Sequence, residues 1–297
     1  MGKALTVLGL DAVDYRLAQR WDCENLLLNN HRELKTFSYS LDVPATLEVW
    51  PSIATGQPPQ EHGVVVNQIG WDNRTGLNIV VKLAQLLPDT VHSSLLQLKK
   101  DRLGSSIQQT EAAHIFDRGS VYNWPGLTPC LDWNLEGEWF SGVTEGNLSE
   151  EEFRRRHLGS AGKGIGWLAG QSLANVPISG AHIHYLDHMG HLYGKRPETL
   201  RSAYMEMDAL VGWLRQQVDR LVIISDHGMQ TTSTDDSDPG VHSSHALMAT
   251  TEFGELPTNV MDIRDWLDER VVEDTEERES KATVDAPMEH LRDLGYL

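Results

Sequence analysis

Apolar runs and amphipathic stretches alternate along the chain. Helical patterns separate five short apolar runs that predict β-strands. The runs are ALTVLGL at 4–10, NIVVKLA at 78–84, AHIHYL at 181–186, LVIIS at 221–225 and HALMAT at 245–250. Short buried strands between helices are typical of α/β proteins with a largely parallel sheet. We therefore predict an α/β fold.

The helical patterns and loops also show where individual elements begin and end. Residues 198–217 predict a helix with one apolar face, formed by Leu200, Tyr204, Met207, Leu210 and Leu214. A second helix begins in the segment 149–157, with Ser149 as its N-cap and acidic residues in its first turn. Residues 232–240 predict a polar loop between two strands.

We expect one domain over residues 1–297, because no boundary in the pattern is strong enough to divide it. A small excursion around 100–180 interrupts the strand–helix alternation, and 273–285 is expected to be a solvated linker to a docked C-terminal segment. The first apolar run reaches Asp11 before any small-residue cleavage site, so it predicts a buried strand rather than a signal peptide.

Composition narrows the class of protein. The chain has 297 residues, 40% of them hydrophobic, and no apolar run long enough for a membrane span. Its two cysteines cannot form a disulfide framework, which favours a cytoplasmic location. The net charge of −18 predicts that the surface repels nucleic acid and anionic membranes. This net charge is typical of a halophilic protein, but an ordinary acidic protein is the alternative.

Acidic residues and histidines follow three of the predicted strands. Asp11 ends the first run, Asp187 ends the third with His191 four residues later, and Asp226 with His227 ends the fourth. Ligands of α/β proteins bind beyond the carboxyl ends of strands, and Asp and His are ligands for Zn²⁺ or Mn²⁺. We expect Asp187 and His191 to approach one ion from a tight loop. Each of these groups could alternatively be a polar turn without a metal. We interpret His184 and His188 as loop histidines of this kind.

The segment 44–68 carries a candidate nucleophile. Thr46 follows a proline and begins an apolar helical stretch that stops at Thr-Gly. A threonine hydroxyl needs a metal or a base to become nucleophilic, and a helix N-terminus offers N–H groups to phosphate oxygens. A plain helix cap is the alternative for this threonine.

Taken together, these motifs resemble the type I phosphodiesterase and nucleotide pyrophosphatase branch of the alkaline phosphatase superfamily. Members share an Asp after the first strand and a nucleophile segment similar to T-x-x-x-W-x-S-I-x-T-G-x-x-P-x-x-H-G, followed by D-x-x-G-H, D-H-G-M and G-x-H. Here they are Asp11, TLEVWPSIATGQPPQEHG at 46–63, DHMGH at 187–191, DHGM at 226–229 and GVH at 240–242. NWPGLTPCLDWNLEGEWFSG at 123–142 resembles a further region of microbial members.

The resemblance implies a three-layer, alkaline-phosphatase-like α/β/α sandwich with two divalent ions, zinc by ligand type or manganese. It assigns Asp187, His191 and His242 to one ion, and it assigns Asp11, Asp226, His227 and Thr46 to the other. His245 is the alternative to His242. Asn67 occupies the position of a phosphate-binding asparagine.

The implied activity is hydrolysis of phosphodiester or nucleotide pyrophosphate bonds through a phospho-threonine intermediate, with a small phosphoester, such as a nucleotide, as substrate. Phosphomonoester or phosphonate hydrolysis and a non-catalytic metal-binding scaffold remain alternatives. The segment after Thr46 lacks the C/S-x-P-x-R context of sulfatases. Trp124, Trp133 and Trp139 have two interpretations, core packing or stacking on a base.

Overall fold

A computed structural model describes residues 4–66 and 108–271, with further helical assignments at 288 and 292. The predicted strand at 78–84, Asn67 and the predicted linker at 273–285 lie outside the described residues. The strands are β1 (Leu5–Leu10), β2 (Asn30–Lys35), β3 (Ser120–Tyr122), β4 (Ile178–Ile183), β5 (Arg220–Ile224), β6 (Gly228–Met229), β7 (His242–Ser243) and β8 (His245–Thr250).

Helices of very different length join these strands. They are α1 (Tyr15–Arg20), α2 (Glu24–Leu27), α3 (Thr46–Thr55), α4 (Pro59–His62), α5 (Trp133–Thr144), α6 (Glu150–Leu173), α7 (Tyr185–Tyr193), α8 (Pro197–Arg215) and α9 (Ile263–Asp268). Short 3₁₀ turns lie at Ile115–Arg118, Thr232–Thr234 and Val260–Asp262. In the part of the chain described, no helix combines the length and the apolarity that a membrane span requires.

The described strands form a six-stranded sheet in the order β2-β8-β5-β1-β4-β3 and a separate two-stranded ribbon of β6 and β7. Neighbours from β5 through β1 and β4 to β3 are parallel, whereas β8 runs antiparallel to both β5 and β2. The prediction of a mostly parallel sheet is therefore confirmed.

Side chains of the central strands alternate between two buried cores. On β1, Leu8 and Leu10 pack with α6, α7 and α8, whereas Leu5 and Val7 pack with α3 and α9 on the other face. The same alternation on β5 and β8 places helices against both faces of the sheet. This arrangement is the predicted α/β/α sandwich.

Several predicted boundaries need correction. The run 181–186 is only partly a strand, because β4 ends at Ile183 and the chain then enters α7. The β2 strand escapes the apolar pattern because it lies at a sheet edge and buries only Leu34. The three-residue β3, at the opposite edge, is too short to show a pattern.

The two predicted helices are confirmed. Ser149 caps α6 by accepting a hydrogen bond from the Glu152 N–H at 3.2 Å, although the helix extends well beyond residue 157. The helix predicted at 198–217 is α8, and its predicted face is buried except for the half-buried Leu210.

Candidate active site

The site lies at the edge of the sheet where three parallel strands end. Asp11 directly follows β1, and Asp226 and His227 follow β5. Asp187 lies in the first turn of α7, which begins soon after β4. Since β4, β1 and β5 are neighbours and parallel, their carboxyl ends bring these residues together.

Thr46 reaches this edge from α3. It is the first helical residue, and the cap position belongs to Ala45, which has no side-chain capping bond. The interpretation of Thr46 as a plain cap is therefore wrong. Its Oγ1 atom lies 3.1 Å from His227 Nε2 and 3.4 Å from Asp11 Oδ1. The hydroxyl points into the site.

A glycine allows this close approach of α3 to the sheet. A Cβ atom at Gly9 would lie 2.9 Å from the ring of Trp50, closer than packed carbon atoms tolerate. Trp50 is fully buried, and its ring meets that of Trp124 edge-on at 4.9 Å. The small residue in β1 thus lets the helix that carries Thr46 pack directly on the strand that ends at Asp11.

One group of three potential ligands is completely buried. Asp11, Asp226 and His227 each offer one ligand atom within 4.8 Å of the others, and we call them the closed triad. His227 Nε2 lies 3.3 Å from Asp11 Oδ1 and 3.2 Å from Asp226 Oδ2. The other His227 nitrogen, Nδ1, lies 3.0 Å from the carbonyl oxygen of Gly228, which directs Nε2 toward the carboxylates.

A second group faces solvent. Asp187, His191 and His242 also offer ligand atoms within 4.8 Å of one another, and we call them the open triad. The Nε2 atoms of His191 and His242 lie 3.3 and 3.2 Å from Asp187 Oδ1 and 3.2 Å from each other. Asp187 and His191 occupy adjacent turns of α7, so the expected tight loop is in fact a helix, whose i,i+4 geometry brings them together.

A short ribbon places His242. Strand β7 pairs with β6 so that His242 lies opposite Met229, and its Nδ1 atom is 2.8 Å from the carbonyl oxygen of Pro44. Its ring stacks on that of His227 at 3.8 Å. His245, the alternative ligand from the sequence, instead pairs with Glu33 on β2 and lies outside both triads.

The carboxylates of the two triads have opposite pKa shifts. Burial, together with the negative charges of Asp226 and Asp187, raises the pKa of Asp11 well above its usual range. Burial, with a smaller contribution from Asp187, raises the pKa of Asp226 to about 7. Burial would also raise the pKa of Asp187, but His191 and the other adjacent imidazoles outweigh it and hold that pKa well below its usual value.

Both triads fit divalent cations. Asp226 Oδ2 and Asp187 Oδ1 are buried and have no hydrogen-bond partner of good geometry among the described residues. The triad histidines direct Nδ1 to a backbone carbonyl and Nε2 to the carboxylates, as metal-ligating histidines do. Two carboxylates with raised pKa values also gain from a nearby cation, because it offsets their repulsion.

A comparison with known protein families covers nearly the whole chain. Residues 5–293 match the sequence profile described as type I phosphodiesterase / nucleotide pyrophosphatase. The chain belongs to this family. The resemblance identified from the motifs is therefore confirmed. The family is metal-dependent.

Other similarities of this family member are partial. A 60-residue stretch, 19% of this chain, is 35% identical to GPI ethanolamine phosphate transferase 3 of Saccharomyces cerevisiae, of which it covers 6%. The structure of murine ectonucleotide pyrophosphatase / phosphodiesterase 5 aligns over 77% of this chain and 58% of that chain, with 14% identity and a TM-score of 0.39. An inactive form of that murine protein in complex with AMP gives 15% identity, the same TM-score, and coverage of 77% and 57%. The chain thus spans less than two thirds of these relatives.

Two histidines next to the triads were not predicted as part of the site. His182, on β4, is buried and places Nε2 3.1 Å from Asp11 Oδ2. His184 places Nε2 3.0 Å from Asp187 Oδ2 and 3.6 Å from Asp11 Oδ2, so it lies between the two triads. The interpretation of His184 as an incidental loop residue is therefore wrong. The i,i+3 spacing of His184 and Asp187 could have indicated this contact, since it places both on one helix face.

The three tryptophans of the 123–142 region differ in environment. Trp124 is fully buried against Trp50 and Phe116, which is the core role. Trp133 stacks on the ring of His184 at 4.8 Å with an interplanar angle of 17°. Trp139 is partly buried against the core beside α6.

Proposed function

We propose that the chain is a metal-dependent hydrolase that cleaves phosphodiester or nucleotide pyrophosphate bonds through a phospho-threonine intermediate. One observation carries the proposal. The Thr46 hydroxyl, at the start of a helix, lies within 3.4 Å of two members of the closed triad, and the open triad is adjacent through the stacked rings of His227 and His242. Family membership supports the same reaction class.

In this proposal each triad holds one divalent ion. Asp11, Asp226 and His227 hold the first together with Thr46, and Asp187, His191 and His242 hold the second. Three nitrogen and oxygen ligands with a further position for substrate suit catalytic zinc, and manganese accepts the same set. When bound, such ions favour ionisation of a coordinated hydroxyl and offset the negative charge of the phosphoryl oxygens.

The chain's own residues position the reacting atoms. Asp11 and His227 hold Thr46 Oγ1 at the site. A bond forms between Oγ1 and phosphorus while the bond from phosphorus to the leaving oxygen breaks. Water then attacks the same phosphorus and releases Thr46. The in-line geometry of such a displacement requires a fixed nucleophile, which the start of a packed helix provides.

Backbone groups at the start of α3 are proposed to bind the phosphoryl oxygens. First-turn N–H groups of a helix lack intrahelical acceptors and favour anions. The buried Glu48 accepts hydrogen bonds from the N–H groups of Ser40 and Val66, at 3.2 and 3.1 Å. The residue before Asn67 is therefore tied to the first turn of α3. Asn67 itself is proposed to contact the phosphoryl group because of the family resemblance.

A substrate comparison tests the proposal. The purified chain is assayed with bis-p-nitrophenyl phosphate and p-nitrophenyl phosphate, with and without a chelator. We expect chelator-sensitive turnover that is faster on the diester. A faster rate on the monoester would overturn the diesterase assignment, and no chelator-sensitive turnover of either compound would favour a non-catalytic scaffold. A panel of dinucleotides and nucleotide sugars then distinguishes diester from pyrophosphate cleavage.

A further inference from the structure

A third group of potential ligands lies beside the two triads. Glu136 on α5, His184 and His188 each offer one ligand atom, and these atoms lie within 4.8 Å of one another. We call them the third cluster. His184 precedes α7 and His188 lies one turn further along the chain, so both rings project toward α5. No residue of this cluster belongs to the two triads.

Buried polar atoms of the third cluster lack partners. Glu136 Oε2, His184 Nδ1 and His188 Nδ1 have no hydrogen bond among the described residues, although Glu136 is only 4% exposed and His188 only 9%. Both nitrogens of the neighbouring His157, 1% exposed, are also without one. Burial of a polar group without a hydrogen bond costs free energy. A single bound species among these atoms would remove several such costs at once.

A cavity that borders two members of the third cluster, Glu136 and His184, has the size of one small ligand. A cavity of about 10 Å³ is lined by Glu136, His157 and His184, together with residues of β3, β4 and α6. That volume holds about one water molecule or one ion. His184 Nδ1 and Glu136 Oε2 are 3.8 Å apart, too far for a hydrogen bond, but close enough for both to contact an ion between them.

The surroundings fix the cluster in an orientation suited to a metal. His184 directs its other nitrogen to Asp187 Oδ2 at 3.0 Å, and a metal-ligating histidine commonly donates its second N–H to a carboxylate. Glu136 Oε1 accepts a hydrogen bond from Ser160 at 2.6 Å, which leaves Oε2 for a ligand. The ring of Trp133 covers His184.

We propose that Glu136, His184 and His188 bind a third divalent cation, separate from the two ions assigned to the triads. Two imidazoles and one carboxylate form a ligand set that zinc accepts, and His157 is the nearest further imidazole. His184 would link this ion to Asp187 of the open triad. It would act as a positioning residue for that triad rather than as a catalytic residue.

Zinc content measured by mass spectrometry tests the proposal. The wild-type chain and the variants Glu136→Gln, His188→Gln and Glu138→Gln are reconstituted with Zn²⁺ and desalted. Glu138 is the matched control, because it is exposed on the same helix two residues from Glu136. We expect wild type and Glu138→Gln to retain about one equivalent more zinc than the other two variants.

Equal zinc in all four proteins would overturn the proposal and favour a direct ion pair between His184 and Glu136. The measured quantity is a difference, so it does not depend on whether the triads bind ions or Thr46 reacts. If a variant fails to fold, crystals of the wild-type chain soaked in Zn²⁺ supply the answer. An anomalous peak is expected about 2.0–2.2 Å from Glu136 Oε2 and two imidazole nitrogens. If zinc fully occupies other sites in the crystal and no peak appears at this position, the proposal is contradicted.

Discussion

The closed and open triads have the same ligand types but opposite environments. The side chains of Asp11, Asp226 and His227 are fully buried and follow central strands of the sheet. In the open triad, Asp187 is buried but the side chains of His191 and His242 are 33% and 17% exposed, and they come from a helix and a short ribbon. The closed triad adjoins the proposed nucleophile, whereas the two histidines of the open triad are partly exposed to solvent.

The carboxylates of the two triads also differ in their pKa values, and this difference follows from their surroundings. Burial raises the pKa values of Asp11 and Asp226, and the negative charge of Asp187 adds to both shifts. Asp187 is surrounded by imidazoles, and its pKa falls despite its burial. The closed triad therefore gains most from a cation, whereas the open triad has partial compensation from its own histidines. From this comparison, the open triad is expected to exchange its ion more readily.

The largest expected effect is that of Thr46→Ala on turnover. Removal of the nucleophile should lower kcat by about 10³-fold or more, as removal of catalytic nucleophiles does elsewhere. Folding should change by only about 1 kcal/mol, since the side chain loses one or two hydrogen bonds and does not cap the helix. Thr46→Ser, which keeps the hydroxyl, is the control and should retain part of the activity. Undiminished turnover in Thr46→Ala would remove this residue from the mechanism.

A smaller effect is expected from His242→Ala, which removes one ligand of the open triad. The variant should bind about one equivalent less zinc and lose at least about 10-fold in activity, which is the smallest loss typical even for groups that only support a metal ligand. His245→Ala is the matched control, because it lies three residues away and pairs with Glu33 outside the triads. Metal content by mass spectrometry checks both variants. Equal zinc in His242→Ala and wild type would exclude this residue as a ligand.

The smallest effect concerns the pH dependence of unfolding in the metal-free chain. The raised pKa of Asp226, about 7, means that folding favours its protonated form. Its stabilising contribution is complete below about pH 4 and is lost as the pH rises toward 7. Asp187 has a lowered pKa, so its contribution is present above about pH 4 and is lost as the pH falls.

Thermal unfolding of chelated protein between pH 2 and 8 measures this contrast, with the range below pH 4 reporting on Asp187 and the range from pH 4 to 7 on Asp226. Asp226→Asn should reduce the loss of stability from pH 4 to 7, and Asp187→Asn should reduce the loss toward acid pH. Asp238→Asn, at an exposed position of the 232–240 loop, is the control. Parallel curves for wild type and both triad variants would show that the two carboxylates do not differ in this way.

The strongest parts of the sequence prediction rest on buried strands. The run LVIIS predicts β5 within one residue because each of its positions fits a strand covered on both faces. The positions of Asp11 and Asp226 follow, since parallel strands must end at one edge. Edge strands such as β2 are polar on their solvent side, and local pattern alone cannot distinguish them from loops.

The histidines were harder to predict because their roles depend on tertiary contacts. In the sequence only the G-x-H motif favours His242 over His245, and in the structure the pairing of β7 with β6 separates them. His184 and Glu136 meet across 48 positions of the chain, so neither residue indicates the other. Thr46 could be identified only through the family resemblance, because a threonine at a helix start is most often a cap.

The pairing of β6 with β7 determines where the loop between them can be changed. His227 and His242 stack because their flanking strands pair, and not because a fixed number of residues joins them. The intervening residues, of which Ser237 and Asp238 are exposed, are therefore not what sets the distance between the two rings. A peptide tag inserted between Ser237 and Asp238 is expected to leave the two rings stacked.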